Sequence, residues 1–292
     1  MKENELNKDK SSSRKQDVLE RLPQSRIPWE RSREEVWESM QAQLLEEPET
    51  RKISLSSNIL RLSAAALIFL VLGSTFFIGF YSKTVSTGAG EMANLVLPKG
   101  SEVVLNAETS LKYKPLMWIF SREVKLDGEA WFGVSKGSDF TVISEPGRTS
   151  VLGTSFNIYS RKGAYEVSCY TGRVLVGSTI SGKEVILEPE QKVIISNEGE
   201  PLLREEPSVS SDRDWRKGYF RFTSTPVTRV FDEIARQYGI DIRGAESLDL
   251  VYTGNFSREQ NVNEVMNLVC RAFGIDFVKE GEKTYRVVID AD

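Results

Sequence analysis

The chain has 292 residues, of which 38 are basic and 42 acidic, so its formal net charge is −4 at neutral pH. It contains no histidine, which excludes histidine-based catalytic triads, histidine metal sites and imidazole proton relays. The small negative charge gives no indication of a nucleic-acid-binding surface, and the length suggests about two folded units besides any membrane anchor.

The chain begins with a polar and charged segment, residues 1–26, which has no apolar period and which we expect to be flexible. The first organised element starts at Ser32, whose spacing to Glu35 is that of a capping box at a helix start. We therefore predict a helix over about residues 32–46. Its apolar residues at helical spacing are Val36, Trp37, Met40 and Leu44.

This helix is the one organised element of a tail that covers residues 1–55, so its apolar face has nothing in the tail to pack against. Another protein and the membrane surface are the two alternative partners. The polar face carries five glutamates and little lysine or arginine, and anionic lipids repel such a face. A protein partner is therefore favoured, with the four apolar residues as its contact.

An uncharged segment of 21 residues runs from Leu62 to Ser82. As a helix that rises ~1.5 Å per residue, it spans about 31 Å, close to the hydrocarbon thickness of a bilayer. We predict one transmembrane helix over residues 60–82. The alternative is a buried core helix, which rarely needs so many uncharged residues in a row.

Charged residues around this segment predict its orientation. Arg51, Lys52 and Arg61 precede it, whereas Lys83 is the one basic residue that follows closely. Basic residues favour the cytoplasmic side, so we predict a cytoplasmic amino terminus and about 210 exported residues. A cleaved signal peptide fits poorly because 61 residues precede the apolar segment, so the span is expected to remain as an anchor.

A predicted short linker, Lys83–Gly90, leads into a region of period two that extends from about Leu95 to Ser196. Turn signals occur roughly every ten residues there. We predict an all-β domain over residues 90–196, either a sandwich or a short β-solenoid. The candidate strands are Glu102–Leu105, Ser110–Tyr113, Glu123–Leu126, Ala130–Val134, Phe140–Ser144, Ser150–Leu152, Ser155–Tyr159, Tyr165–Tyr170, Arg173–Gly177, Glu184–Leu187 and Lys192–Ile195.

One segment of this domain, residues 128–132, offers a candidate binding loop or catalytic carboxylate at Glu129. Asp127-Gly128 is predicted to be a hairpin turn, after which Trp131 and Phe132 face opposite sides of the next strand, one of them into the core. A paired-carboxylate glycosidase needs a second acid nearby, and the sequence indicates none in particular. A structural role is therefore favoured for the segment.

The two cysteines, Cys169 and Cys270, lie 101 residues apart in different predicted domains. An exported location permits a disulfide between them. Cys169 falls in a strand and Cys270 on the apolar face of a helix, so two buried thiols are the simpler interpretation.

Residues 197–217 are polar and are predicted to be a linker, after which an internal repeat with an offset of 35 residues begins. Each copy predicts a helix, a glycine stop at Gly239 or Gly274, and a strand. With three further strands, two βαβ units form one small α+β domain over residues 218–290. Its exposed strand edges are able to accept a partner's strand. The candidate strands for that contact are Leu250–Asn255 and Tyr285–Ile289.

Three segments of the β region carry a resemblance to a known family: Leu97–Tyr113, Arg122–Val142 and Val151–Ser160. Their pieces Gly-Glu-Ala-aromatic-Phe-x-Val and Leu-Gly-Thr-x-Phe, in this order, resemble the FecR family of single-span anti-sigma regulators. The segment Trp215–Ile242 is similar to the carboxy-terminal module that follows the FecR domain in many such regulators. That module is similar to the short amino-terminal domain of secretins and TonB-dependent transducers.

The resemblance implies a relay across the cell envelope. A TonB-dependent outer-membrane receptor that has bound its ligand offers its amino-terminal signalling domain to the periplasmic part of such a regulator. The cytoplasmic tail then releases or activates an extracytoplasmic-function sigma factor. The implied partners are this sigma factor, the receptor's signalling domain and the lipid bilayer, with no direct contact to nucleic acid and no cofactor or metal.

Some FecR-like regulators cleave themselves at a Gly-Thr junction in this region, which makes Gly153-Thr154 a candidate self-cleavage site. A threonine hydroxyl next to a strained glycine is able to attack the preceding carbonyl. The alternative is a tight turn that enters the strand Ser155–Tyr159.

Together these observations predict a membrane-anchored multidomain chain. It has a short α-helical cytoplasmic tail, one transmembrane helix in the inner membrane, an all-β periplasmic domain and a small α+β domain of two βαβ repeats. The predicted function is that of an anti-sigma factor, which is not an enzyme apart from the self-cleavage. The alternative is a membrane-anchored envelope scaffold or secretion-system component, and an anchored glycan hydrolase is a weaker one.

Overall fold

The structure is a computed structural model that describes residues 31–45, 57–205 and 209–288. The segment 1–26 and the basic residues Arg51 and Lys52, on which expectations were stated above, lie outside the described residues. By its contacts the chain divides into two compact units, residues 1–64 and 65–292.

The first helix, α1, spans Arg33–Leu45. Its start is the predicted capping box: the Ser32 amide donates to Glu35 Oε2 at 3.0 Å, and the Glu35 amide donates to Ser32 Oγ at 3.2 Å. These two bonds satisfy amides that have no partner within the helix. The predicted start is thereby confirmed.

The second helix, α2, spans Ser57–Phe80, and its part Arg61–Phe80 is long and apolar enough to cross a membrane. The hydroxyls of Ser74 and Thr75 donate to carbonyls one turn earlier, at Val71 and Leu72. Such bonds satisfy polar side chains within the helix itself, as hydrocarbon surroundings require.

The connection after α2 is shorter than predicted. The Tyr81 amide still donates to the Phe77 carbonyl at 2.9 Å, and strand β1 already begins at Lys83, so Ser82 is the whole joint. The segment Lys83–Gly90 was predicted to be a linker, but its first four residues pair with a later strand along their whole length. Strand partners far along the chain are not visible in local composition.

Thirteen strands of the described chain form the β domain. They are β1 Lys83–Ser86, β2 Ala93–Val96, β3 Glu102–Leu105, β4 Ser110–Tyr113, β5 Arg122–Gly133, β6 Phe140–Ile143, β7 Gly147–Val151, β8 Ser155–Arg161, β9 Ala164–Thr171, β10 Val174–Ser178, β11 Glu184–Leu187, β12 Gln191–Ile195 and β13 Pro201–Glu205. The hydrogen-bonded order is β11-β10-β7-β6-β5-β8-β9-β12-β13. In addition, β3 and β4 both pair with β5, β2 pairs with β3, and β1 pairs with β4.

Strand β5 connects the two faces of this domain. Its first half pairs with β4 and β6, and its second half pairs with β3 and β8. The core lies between the faces, where Phe132 stacks on Phe156 at 5.1 Å between ring centroids and Trp118 meets Phe140 edge-on at 6.1 Å. Phe132 is thus the residue of the predicted Trp131–Phe132 pair that enters the core.

The hairpin turn predicted at Asp127-Gly128 is wrong, because β5 continues through both residues. Gly128 has φ +116°, and a Cβ there would lie 2.7 Å from the Thr109 Cα. Glycine is therefore needed for a bend within one long strand, where the chain passes from one face to the other, and not for a reversal.

The segment 197–217, predicted to be a linker, is folded in its described part. Strand β13 pairs with β12, with Pro201 at the first position of an outer strand, where a missing amide is tolerated. A 3-10 helix at Val209–Lys217 then buries Trp215. The polar composition reflects the exposed side of these elements and not the lack of structure.

The carboxy-terminal domain contains the predicted repeat of helix, glycine and strand. Its elements are β14 Tyr219–Pro226, α3 Val227–Tyr238, β15 Asp241–Arg243, β16 Val251–Ser257, α4 Val262–Arg271, β17 Asp276–Lys279 and β18 Thr284–Val288. Gly239 ends α3 with φ +64°, and Gly274 follows α4 with φ +66°. Val230, Ile234, Val265 and Val269 lie in the shared core of the two helices.

The strands of this domain form two small sheets, so the predicted βαβ units, in which both strands share a sheet, are wrong. One sheet pairs β14 with β16, and the other has the order β15-β18-β17 with β15 parallel to β18. The two strands of each repeat therefore lie in different sheets. The segment Tyr285–Ile289, predicted as a candidate edge, belongs in its described part to β18, which lies between two neighbours. The segment Leu250–Asn255 falls mainly on β16, which has one strand neighbour.

Both cysteines, Cys169 and Cys270, are free and fully buried, as expected of thiols that pack as small apolar groups.

The bend at Gly128 yields a test of the β5 path. Replacing Gly128 by alanine places a Cβ against the Thr109 backbone at a φ that alanine rarely adopts, so the free energy of unfolding should fall by about 1–3 kcal/mol or more. Gly177→Ala is the matched control, because its Cβ would meet only the flexible Glu184 side chain, at 3.4 Å. Urea unfolding of the detergent-solubilised chain measures both variants, and equal stabilities would contradict the bend.

Candidate functional site

Buried polar side chains concentrate where the carboxy-terminal domain packs on the β domain. We call Asn106, Glu129, Asn157, Glu233 and Gln237 the interdomain network. All five side chains are nearly inaccessible to solvent. Because unpaired polar groups are costly to bury, their mutual arrangement determines how the two domains fit.

Strand β5 positions the central carboxylate of the network. Directly after Gly128 the residues alternate: Ala130 and Phe132 enter the β core, whereas Glu129 and Trp131 point to the other side. Trp131 packs against the core of the carboxy-terminal domain. The segment singled out in the sequence is therefore an interface strand.

The interdomain network is continuous from one domain to the other. Asn106 Nδ2 donates to Glu129 Oε2 and Asn157 Nδ2 donates to Glu129 Oε1, each at 2.9 Å. Gln237 Nε2 donates to Asn106 Oδ1 at 2.9 Å and to Glu233 Oε1 at 2.8 Å. Helix α3 is thus joined to β5 through a chain of amides.

Helix α3 presents a polar stripe to the β domain and an apolar stripe to its own core. Arg229, Glu233, Arg236 and Gln237 follow one another at helical spacing. Arg236 Nη2 donates to Glu233 Oε2 at 2.7 Å, and the Arg236 carbonyl accepts from the Gly90 amide at 2.8 Å. The helix is therefore held by backbone as well as side-chain contacts.

A second cluster of charges centres on Glu166 of β9. Glu166 pairs with Lys192 at 2.9 Å and with Arg229 of α3. Burial opposes the ionisation of Glu166, but the positive charges of Lys192 and Arg229 outweigh it and lower the pKa of this carboxyl to about 2. Arg229 also lies 4.1 Å over the Tyr159 ring.

Two tryptophans complete the interface. Trp215 Nε1 donates to Asn157 Oδ1 at 3.3 Å, and the Arg216 guanidinium lies 4.1 Å over the Trp131 ring. The 3-10 helix that carries Trp215 and Arg216 thus belongs to the interface.

The pKa of Glu129 is raised to about 7, first by burial and then by the nearby charge of Glu233. Arg161 and the amides of Asn157 and Asn106 act in the opposite direction. The carboxyl therefore takes up or releases a proton near neutral pH while it is enclosed between the domains.

A cleft of about 300 Å³ opens beside the interdomain network. Strand β14 forms one wall over its whole length, and Glu129, Glu166 and Glu233 are at the base. Its basic lining residues are Lys192, Arg204, Arg221 and Arg229. The cleft is thus polar and carries both signs of charge.

The second site predicted from the sequence, Gly153-Thr154, lies at the start of β8, away from the interdomain network. Gly153 has φ +156°, and a Cβ there would lie 2.9 Å from the Lys136 Cα, so a larger residue does not fit. Thr154 is buried, and its Oγ1 has no hydrogen-bond partner among the described residues. Buried hydroxyls usually have a partner, and Ser144 Oγ is the other described serine or threonine hydroxyl that is buried without one.

The third predicted site lies on α1. Trp37 is 65% exposed and Leu44 is 79% exposed, and Val36 and Met40 are exposed as well. Within their own compact unit these apolar side chains remain open to solvent.

Sequence reasoning missed much of the interface. Glu129 was noticed but judged structural, and Trp215 was placed in a linker, although a tryptophan in a polar segment is itself a sign of burial. The polar residues Arg229, Glu233 and Gln237 recur every four positions, so the sequence did show a polar stripe on α3 beside the apolar one. No local pattern, however, indicates that this stripe meets β5.

Among the described residues, no group of three histidine, cysteine, aspartate or glutamate side chains is arranged to hold a metal ion.

Comparisons with known proteins agree with this architecture. A protein-family model described as FecR protein matches residues 83–175, and one described as FecR, C-terminal matches residues 219–286. Together they match more than half of the chain. The two matched regions lie in the two domains that meet at the interdomain network, and the first match ends before strands β11 to β13 of the β domain.

Solved structures give the same relationship. Two crystal structures of a protein from Parabacteroides distasonis, described as an anti-sigma factor, are each 27% identical to this chain with a TM-score of 0.66. Each match covers 72% of this chain and 100% of the other. The comparison with curated proteins found no match.

The raised pKa of Glu129 predicts a pH-dependent stability. The folded state holds the proton more strongly than the unfolded state, so this group's contribution is fully present below about pH 4.5 and is lost as the pH rises to about 7. The free energy of unfolding should fall by roughly 3 kcal/mol across that window. Glu129→Gln should flatten the fall.

Urea unfolding at several pH values, followed by tryptophan fluorescence, measures the slope. Glu102→Gln, on an exposed carboxyl of β3, is the control and should keep the slope of the unaltered chain. Glu166 does not account for this slope. Its lowered pKa stabilises the folded state, and that stabilisation is already complete above the ordinary pKa of a glutamate, where the measured fall begins. A slope that persists in Glu129→Gln would assign it to another group.

Proposed function

Because this chain belongs to the FecR family of anti-sigma factors, we propose that it relays the state of a TonB-dependent outer-membrane receptor to an extracytoplasmic-function sigma factor. The observation that carries the proposal is the exposed apolar face of α1, which a membrane-length helix separates in sequence from two folded domains. A chain of this kind has a binding element at one end and a folded sensor at the other.

The contact with the sigma factor is assigned to Val36, Trp37, Met40 and Leu44 of α1. Helices often bind partners through an apolar face laid in a groove, with residues at this spacing as anchors. Tryptophan is the residue type that most often dominates such contacts. The acidic residues Glu34, Glu35 and Glu38 around it disfavour an anionic membrane as the alternative partner.

The contact with the receptor is assigned to the carboxy-terminal domain. Strand β16 has one strand neighbour, so its second edge is open to an added strand. The exposed Val251 on the same strand supplies an apolar contact beside that edge. Of the two candidate strands, we therefore retain β16 and not β18, which has a neighbour on each side.

The proposed orientation places α1 in the cytoplasm, α2 across the inner membrane and both folded domains in the periplasm. Arg51, Lys52 and Arg61 before the span and Lys83 after it support this direction. The interdomain network then lies between the receptor contact and the β domain that continues into α2. A receptor bound to the carboxy-terminal domain is able to act on the β domain through this network.

We also propose that the chain cleaves itself between Gly153 and Thr154. Thr154 Oγ attacks the Gly153 carbonyl carbon, the C–N bond breaks, and the hydroxyl proton passes to the released amine. Water then hydrolyses the ester, which leaves a carboxylate on Gly153 and a free amine on Thr154. The buried hydroxyl without a partner and the glycine before it, at a φ and in a space that a side chain would not tolerate, support this step.

The relay predicts separate losses at the two ends. Trp37→Asp puts a charge at the centre of the α1 face, so capture of the sigma factor by the full chain from membranes should fall at least about tenfold, or 1.4 kcal/mol. Capture of the receptor should stay unchanged. Ala42→Asp, which adds the same charge on the opposite side of α1, is the matched control.

Mass spectrometry of the captured proteins reads out both partners. A Trp37→Asp variant that still captures the sigma factor at the control level would contradict the role of α1. Capture of neither partner by the unaltered chain would favour the envelope scaffold or secretion component.

Self-cleavage predicts two fragments, residues 1–153 and 154–292, on a denaturing gel of membrane fractions. Thr154→Ala removes the nucleophile and should give one full-length band, whereas Thr154→Ser keeps a hydroxyl and should still be cut. The fragments should stay together under native conditions, because β7 and β8 are both paired within the sheet. A single full-length band from the unaltered chain would rule the reaction out.

A further inference from the structure

The loop between β4 and β5, residues 114–121, brings three exposed large apolar side chains together within five residues. Ile119 and Phe120 are each 79% exposed, and Leu116 is 44% exposed. We propose that this loop inserts into the lipid bilayer beside the membrane helix and fixes how the β domain sits on the membrane. The inference rests on α2 spanning the membrane, as proposed above.

The loop is rigid enough to hold its apolar side chains outward. Trp118, between the exposed residues, is buried at 2% exposure and packs edge-on against Tyr113 at 5.8 Å and against Phe140 at 6.1 Å. The Ser121 and Phe120 amides donate to the Met117 carbonyl, each at 2.9 Å. The outward direction of Ile119 and Phe120 is therefore built into the fold and is not a fluctuation of a loose segment.

The strand register places this loop next to the end of α2. Strands β1 and β4 are antiparallel, with Lys83 opposite Tyr113. The chain that continues beyond Tyr113 therefore runs in the direction of Ser82 and the end of α2. Paired strands lie about 4.8 Å apart and rise ~3.3 Å per residue, so the two segments stay close. A loop that starts there begins at the level where the helix leaves the bilayer.

A further exposed apolar residue, outside the loop, lies at the same end of the strands. Arg122 of β5 is opposite Phe140 of β6, and Phe140 is opposite Val151 of β7. Leu152, the next residue, is exposed, so the apolar surface extends from the loop across this end of the domain.

The charges nearby suit a lipid headgroup layer. Three lysines are exposed around the loop: Lys83 on β1, Lys112 on β4 and Lys114 at the start of the loop itself. Lysine near an interface extends its amine to the phosphates while its stem lies along apolar surface. Apolar tips with a basic border at the height of a membrane helix end are the features of an interfacial anchor.

Lipid is favoured over a protein partner for this surface, because the loop adjoins a segment that is already in the bilayer. A protein partner would have to approach along the membrane surface, against the helix. If the loop were free in water, the exposed apolar surface of Ile119 and Phe120 would be unfavourable and no contact would offset it. Contact with lipid removes that cost without any further binding partner.

The test uses the full chain in vesicles of phosphatidylethanolamine and phosphatidylglycerol. A nitroxide is attached at Ile119→Cys, and its collisions with oxygen, which enters lipid, are compared with its collisions with a water-soluble nickel chelate. Cys169 and Cys270 are buried, so labelling is directed to the new cysteine. Phe76→Cys on α2 is the lipid control, and Val278→Cys on β17, which is 54% exposed, is the aqueous control.

We expect the Ile119 probe to be several-fold less accessible to the nickel chelate than the Val278 probe and more accessible to oxygen. A probe at Leu116→Cys should show the same depth and lose it when Ile119 and Phe120 are both replaced by serine. These two residues are exposed, so the double variant should keep its fold, which circular dichroism checks.

Each contrary outcome has a distinct meaning. An Ile119 probe as exposed to nickel as Val278, with Phe76 in lipid, overturns the loop proposal and leaves the membrane helix intact. A Phe76 probe that is also exposed to nickel overturns the spanning helix and the loop proposal together. Shielding from both reagents that disappears on dilution of the protein in the vesicles would show contact between copies, which overturns the lipid contact.

Discussion

The structure depends on the path of one strand. β5 runs through twelve residues without interruption and supplies both faces of the β domain. Its bend requires glycine at Gly128, because the Thr109 backbone occupies the space of any side chain there. The same bend sets the alternation that follows, with Phe132 in the core and Glu129 towards the carboxy-terminal domain. A change in the register of this strand would therefore remove the core and the interface at once.

The interface that β5 creates is held by polar groups enclosed from water. Glu129 accepts from the amides of Asn106 and Asn157, and Gln237 connects the Asn106 amide to Glu233 of α3. Removing one member leaves the others buried without partners, so the arrangement is more sensitive to small displacements than an apolar contact of the same area. The interface joins the carboxy-terminal domain to the β domain that follows α2 in the chain. It also explains why two short modules pack as one compact unit.

Local patterns in the sequence predicted the elements well where those patterns were sufficient. The capping box at Ser32, the apolar span, both glycine stops at Gly239 and Gly274, and most β strands were visible in residue spacing. Pairings between distant segments were not, which explains the errors at Lys83–Ser86, at Asp127-Gly128 and in the division of the repeat into two sheets. The interface escaped for the same reason, since Asn106 and Gln237, which share a hydrogen bond, are 131 positions apart in the chain. Their contact is a property of tertiary packing.

The joint at Ser82 has a mechanical consequence. Between the last helical hydrogen bond of α2, made by Tyr81, and the first paired residue of β1, Lys83, one residue remains. A connection of one residue leaves the helix and the strand little freedom to move independently. A rotation or tilt of the β domain therefore also turns the 24-residue helix α2. That helix is about 36 Å long, so a small change of angle at its carboxy-terminal end displaces its amino-terminal end by several ångströms. Such a connection transmits a rotation from the β domain to the helix, whereas a long flexible linker would let the two move independently.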